Sequence, residues 1–194
     1  MTSLEAAMGK FLSAISELAT AFTFVEPIVI FRGAKRLAAS HPHFAGCLFL
    51  NEELIGTKFL AEHFVYELAH QEFFGLNLLD RLVEATADHK LIYAPFQGKE
   101  RPTIERLKTS HAMYRSGQFY ERTQNDAYES NANVLRGTLH TFAPEDLKEM
   151  GRFLVRECYK SFLARFLRAK LSLAPKDAVH QFRDLPQSAF LSRG

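Results

Sequence analysis

The spacing of apolar residues along the chain predicts a protein built mainly from helices. Apolar side chains recur every three or four positions over residues 3–20, Thr57–Ala85 and Thr103–Arg122, and this period is typical of an amphipathic helix. Thr57 is the expected N-cap of the second of these helices. A last helix is predicted over Pro144–Leu173, because proline followed by acidic residues is favoured in a first turn.

Two shorter segments have the β-branched and aromatic composition of strands. They are Phe24–Arg32, in which Pro27 favours an edge position, and Ala45–Leu50. A loop or short helix is expected between them, from Gly33 to about His43. Residues 88–102 are predicted to be irregular because they contain three helix breakers, whereas residues 123–141 remain ambiguous.

Together these segments predict an α+β fold. We expect a mostly helical single domain over residues 1–194, with a small β-sheet packed on the long central helix Thr57–Ala85. The tail from about Pro175 is expected to be loosely structured.

The composition indicates the class of protein but not its function. The chain has 194 residues, 47% of them hydrophobic and 24% charged, which is typical of a globular domain. Its net charge of +2 does not indicate a nucleic-acid partner, and no apolar run approaches the ~18 residues of a membrane span. Cys47 and Cys158 match neither a disulfide framework nor a zinc motif, so a reducing cytoplasm is the expected compartment.

The central helix carries polar residues on the face that should be buried. At 100° per residue, His63, Glu67 and His70 share this inner face with Phe74. The opposite face is predicted to contact solvent; it carries Lys58, Glu62, Val65, Ala69 and Glu72. Buried polar groups must pair with each other, with the fold or with a ligand. The inner residues therefore predict either a metal or catalytic site or a satisfied polar cluster.

Tyr66–His70 has the spacing of an H-E-x-x-H motif with tyrosine in place of the first histidine. The intact motif places two histidines on one helix face to bind a metal, with a glutamate beside them. A phenol with an ordinary pKa near ~10 is a poor ligand for zinc or iron(II) at neutral pH. A zinc hydrolase is therefore disfavoured.

The order of several segments resembles a known family. The strand Ala45–Leu50 and the H-E-x-x-H-like helix are followed by Ile92–Phe96, the pair Arg101 and Pro102, a further helix, and Phe142–Leu154. Over about residues 40–155 this order resembles the H-E-x-x-H-type peptide-modification proteins encoded in gene clusters for ribosomally made peptides. Members of that family are implicated as iron- and 2-oxoglutarate-dependent peptide β-hydroxylases.

The resemblance implies a short, degenerate member of that family. Tyr66 takes the position of the family's first metal histidine, and a later histidine of the family corresponds either to Lys108 or to His111. Loss of these ligands would abolish the metal site and leave a cleft for the peptide. The resemblance also leaves open a shifted iron site, built from His63, Glu67, His70 and His111. Arg101 could hold a carboxylate of 2-oxoglutarate or of a peptide, or could anchor a loop by an ion pair.

The last predicted helix is strongly basic. Residues 148–170 contain seven Lys or Arg and only two Glu, and Arg152, Arg156 and Lys160 repeat at four-residue spacing. The stripe is either a solvated helix face or a surface for an acidic partner such as the leader segment of a precursor peptide.

The sequence thus favours a non-catalytic pseudoenzyme that binds a precursor peptide with an acidic leader for other enzymes of the same pathway. It would use Arg101 and the basic stripe, would add the peptide to the edge strand Phe24–Arg32, and would need no cofactor. The alternatives are an iron-dependent, 2-oxoglutarate-using peptide hydroxylase and a structural dimer without a ligand in the cleft. A homodimer is compatible with each of them. No membrane or nucleic-acid partner is expected.

Overall fold

A long central helix, α1 (Leu60–Leu79), organises the fold. The computed structural model describes residues 27–33 and 37–160, together with Gly9, Ser13 and Val25. In this part of the chain α1 is followed by α2 (Thr103–Arg122), α3 (Ala127–Leu139) and helical residues 149–160, here α4.

Two predicted segments fall largely or wholly beyond these residues. The helix expected over 3–20 lies outside the described residues except at Gly9 and Ser13, which are helical, and the tail from Pro175 lies outside them entirely. Residues up to Cys158 belong to one compact unit. A single domain over residues 1–194 stays a prediction.

A small three-stranded sheet lies beside α1. It contains β1 (Ile28–Phe31), β2 (Ala38–Ala39) and β3 (Leu48–Asn51), with β3 in the middle. The strand β1 runs parallel to β3, with Ile28 opposite Leu48, and β2 runs antiparallel to it, with Ala38 opposite Leu50. Within the part of the chain that the structure describes, β1 lies at an edge of the sheet, as was predicted for the Phe24–Arg32 segment.

A β-hairpin follows in the segment that was predicted to be irregular. Its strands are β4 (Ile92–Ala94) and β5 (Lys99–Arg101), joined by a four-residue turn. The turn closes because the Gly98 amide donates to the Ala94 carbonyl over 3.0 Å. Gly98 has φ +63°, which glycine adopts without the steric penalty of a side chain.

The α+β prediction, mostly helical with a small sheet packed on a long central helix, is confirmed. Leu48 and Leu50 of β3 pack with Phe64, Val65 and Leu68 of α1 in one buried apolar cluster. A second cluster joins the other half of α1 to the start of α2 and to residues 82–87 and 147–154. Burial on this scale is the main stabilising term of such a fold.

The face of α1 that was predicted to contact solvent is packed against α2. Val65 and Ala69 are fully buried. Glu62 bonds to Tyr120 near the end of α2, and Glu72 bonds to His111 nearer its start, so the two helices run antiparallel. The prediction of a solvent face was wrong because donors on α2 satisfy these carboxylates, and charge alone does not identify an exposed face.

The predicted boundaries of the central helix were too wide at both ends. Phe59, not Thr57, is the N-cap, because the Thr57 hydroxyl donates instead to the Leu54 carbonyl over 2.8 Å. The helix ends at Leu79, before the chain extends to pair Val83 with Leu147.

The last helix also begins later than predicted. Pro144–Asp146 form one short 3₁₀ turn, Leu147 pairs with Val83, and α4 starts at residue 149. None of the described helices combines the length and the apolarity that a bilayer crossing requires.

Candidate functional site

An open cleft of about 380 Å³ lies beside the first half of α1, at the position of the H-E-x-x-H-like stretch. Four structural elements form its walls: α1, the start of β2, the turn of the β4–β5 hairpin, and α2. The residues that line it are Leu37, Ala38, Glu62, His63, Tyr66, Glu67, Phe96, Ser116 and Tyr120.

Tyr66 forms the wall between α1 and the hairpin. Its ring lies 6.1 Å from the Phe96 ring and 4.7 Å from the His70 ring, measured between centroids. Burial, and then the neighbouring Glu67 carboxylate, raise the pKa of the Tyr66 phenol far above its ordinary value. The phenol therefore stays protonated at neutral pH.

Two carboxylates from α1 face the cleft. Glu67 is 7% exposed and accepts a hydrogen bond of 2.6 Å from the Ser40 hydroxyl, just beyond β2. Glu62 accepts from Asn125 Nδ2 at 2.8 Å and, more weakly, from the Tyr120 hydroxyl at 3.5 Å. Both of these hydrogen-bond donors to Glu62 are uncharged.

The histidines of α1 have different environments. His63 lines the cleft, and its Nδ1 lies 3.0 Å from the Phe59 carbonyl. His70 is buried behind Tyr66, against Phe74, and its Nδ1 has no hydrogen-bond partner. Burial, with nearby Lys108 and His111, lowers the pKa of His70 to about 3, so the ring is neutral at physiological pH.

His111 belongs to a different cluster, on the side of α1 that faces α2. Its Nε2 donates to Glu72 over 2.8 Å, and Arg115 forms a two-point ion pair with the same carboxylate. These donors outweigh the desolvation that would raise the pKa of Glu72, and they lower it to about 2. Lys108 instead bonds to Glu105 on its own helix.

The structure thus separates the four predicted metal ligands. His63 and Glu67 share the cleft, His70 lies behind it, and His111 is bound to Glu72. Across the described part of the chain, no three His, Cys, Asp or Glu side chains are grouped so that they could hold one metal ion. In this structure these four side chains are not arranged as the ligands of a single iron ion.

None of the residues predicted to bind a peptide is among the residues that line the cleft. Arg152, Arg156 and Lys160 are exposed on α4, but the Arg152 guanidinium donates to the Leu147 carbonyl over 2.6 Å and Arg156 lies over the Phe153 ring. Arg101 ends β5, half-buried, and its Nε has no hydrogen-bond partner.

Several cleft residues were not predicted from the sequence. Phe96 comes from the hairpin turn, Ser116 and Tyr120 come from α2, and Glu62 was assigned to the solvent face. An exposed aromatic ring is a weak signal, and only the antiparallel packing of α1 on α2 brings Tyr120 beside Glu62. No local pattern could have identified this set.

Comparison of the sequence with known protein families finds no family model that matches it, and comparison with curated proteins finds no significant match.

Proposed function

We propose that the protein is a non-catalytic accessory protein in the biosynthesis of ribosomally made peptide natural products. It binds a precursor peptide, which other enzymes of the pathway then modify. The observation that carries this proposal is the cleft at the H-E-x-x-H-like helix, where a protonated tyrosine stands in place of the first metal ligand. The cleft offers a peptide a surface of aromatic rings and carboxylates.

A sheet edge beside the cleft supports peptide binding. Among the described residues, β2 pairs only with β3, and Ala38 of β2 lines the cleft. An extended peptide that adds to an edge strand gains main-chain hydrogen bonds and directs alternate side chains to one face. Addition at β2 would direct those side chains into the cleft, whereas addition at β1 would place the peptide on the opposite edge of the sheet.

The acidic leader would bind the basic face of α4 in this proposal. Arg152 and Arg156 are both exposed and lie one helical turn apart, so their positive charges complement those of an acidic segment. Arg156 is the better test of the two, because Arg152 also satisfies a backbone carbonyl. Arg156→Glu should weaken binding of the leader about tenfold or less, since surface ion pairs contribute only ~0.2–1 kcal/mol and the change also adds repulsion. Arg136→Glu, on the exposed face of α3, is the matched control.

The proposal places the protein in the cytoplasm. Its two cysteines, Cys47 and Cys158, are free and buried, and burial raises the pKa of the Cys158 thiol to about 12. Buried thiols without a disulfide partner suit a reducing compartment.

The experiment is a titration with short peptides encoded beside the gene, followed by fluorescence anisotropy. Binding that weakens in Tyr66→Ala and Phe96→Ala, while the peptide mass stays unchanged in the presence of iron(II) and 2-oxoglutarate, supports the proposal. Gain of an oxygen atom by the peptide, abolished in Glu67→Ala and His70→Ala, would establish the hydroxylase instead. No binding by any of these peptides would favour the structural dimer, which sedimentation would test.

A further inference from the structure

A second cavity lies next to the cleft, at the end of α2. This cavity has a volume of about 520 Å³ and shares Tyr120 with the cleft. It is lined by Tyr120, Glu121, Gln124, Asn125, Asp126, Tyr128 and Glu129. Asn125 also bonds to Glu62 in the cleft, so one polar contact connects the two cavities.

The charges along this double cavity have one sign. Five carboxylates line it, two in the cleft and three beyond it: Glu62, Glu67, Glu121, Asp126 and Glu129. None of the described residues that line either cavity is lysine or arginine. Field lines focus in concave surfaces with low-dielectric walls, so the double cavity should concentrate cations.

Aromatic rings form much of the remaining wall. Tyr66 and Phe96 lie 6.1 Å apart with their ring planes 30° from parallel, and Phe96 is 48% exposed. Tyr120 separates the two cavities and faces Glu62. Rings of this kind attract ammonium and guanidinium groups through their π faces, whereas an anionic ligand gains nothing from them. Aromatic rings beside carboxylates therefore favour an organic cation.

We propose that the double cavity binds a basic segment of the peptide, with a Lys or Arg side chain held between Tyr66, Phe96 and the Glu62 carboxylate. This inference rests on the proposed function, because it names which residues of a bound peptide enter the cleft. An edge-strand peptide at β2 would direct such a side chain toward Glu62, and the three acidic groups of the second cavity would attract further basic residues. The acidic leader is excluded from this surface by like charge.

The test uses capped ten-residue peptides that share one Gly-Ser-Leu frame and carry Lys, Arg, Gln or Glu at four positions. Binding to the full chain is measured by fluorescence anisotropy at two salt concentrations. The Lys and Arg peptides should bind about tenfold more tightly than the Gln peptide, and more weakly at higher salt, while the Glu peptide should bind least. Equal affinity for all four peptides, or no detectable binding of the basic ones at millimolar concentration, overturns the inference.

Two variants test whether the preference for basic peptides depends on Glu62 in the cleft. Glu62→Gln keeps the acceptor for Asn125 but removes the charge, and should reduce the preference for the basic peptides about fivefold without changing binding of the Gln peptide. Glu145→Gln removes the same charge from an exposed position outside both cavities and should leave the preference unchanged. Equal loss in both variants would show a general charge effect and overturn the inference. Peptides encoded beside the gene are titrated in parallel, because their failure to bind refutes the proposed function itself.

Discussion

The buried His70 should make the fold sensitive to mild acid. Its pKa is 6.5 as an ordinary imidazole and about 3 in the folded chain, chiefly because burial disfavours the charged ring. Between these two values the unfolded chain binds a proton that the folded chain does not bind. Stability therefore falls as pH falls below about 6.5, and the loss is complete near pH 3.

The size of the effect follows from the same two values. Each pH unit between them corresponds to up to about 1.4 kcal/mol, so the loss from pH 6.5 to 4.5 approaches ~2–3 kcal/mol. The pKa of Glu72 is lowered from 4.5 to about 2, so its own stabilising contribution is lost only below pH 4.5. Between pH 6.5 and 4.5 the change in stability therefore reports the titration of His70 rather than that of Glu72.

The assay is urea unfolding followed by circular dichroism at several pH values in this window and at constant ionic strength. His70→Gln removes the titrating group and should reduce the slope of unfolding free energy against pH by about 1 kcal/mol per unit. His89→Gln, at an exposed position, is the matched control, and the slope should be smaller in His70→Gln than in this variant. The same slope in the wild type and in His70→Gln would refute the account of His70 as a buried neutral ring.

Two further stability predictions follow from close packing and from a buried cation. Gly151→Ala would place a methyl group 2.1 Å from the Leu82 carbonyl oxygen and should lower the unfolding free energy by about 2 kcal/mol or more. Gly75→Ala on α1 meets nothing within 4 Å and should raise the unfolding free energy by ~0.5–1 kcal/mol. Urea titrations of the two variants measure both changes. Arg106→Met should lower the unfolding free energy by about 2–4 kcal/mol, because Arg106 donates to the Thr141 carbonyl and hydroxyl from a fully buried position. Thermal unfolding measures this loss, and a loss below about 0.5 kcal/mol would contradict this account.

The helix α2 could be predicted closely, whereas the shortest strands, β2, β4 and β5, could not. The bounds of α2, Thr103–Arg122, agree with the prediction because Pro102 begins the helix and the period continues without a break. The strands of the β4–β5 hairpin have three residues each and β2 has two, which is too few for a period of two to be recognised. The α3 helix was ambiguous because its sequence is polar, and it packs on α2 through Asn131, which donates to the Met113 carbonyl.

The candidate site could be predicted only for the part that lies on one helix. His63, Glu67 and Tyr66 were identified because helical spacing places side chains relative to one another. Their partners Phe96 and Tyr120 are distant in sequence, so no pattern within a segment places them in the cleft. His111 was assigned to a metal site by an argument from spacing of the same kind. In the structure His111 and Arg115 both donate to Glu72 on the neighbouring helix, and spacing within one segment does not predict such a contact.

Amide hydrogen exchange with and without a precursor peptide tests most directly whether the cleft holds the peptide. The account predicts slower exchange over Leu37–Ser40, at the β2 edge, and over residues 95–98, in the hairpin turn. The β1 edge at Ile28–Phe31 should exchange at the same rate in both samples. Slower exchange at β1 or over residues 149–158 alone, with unchanged exchange at β2 and the hairpin turn, would contradict peptide binding in the cleft.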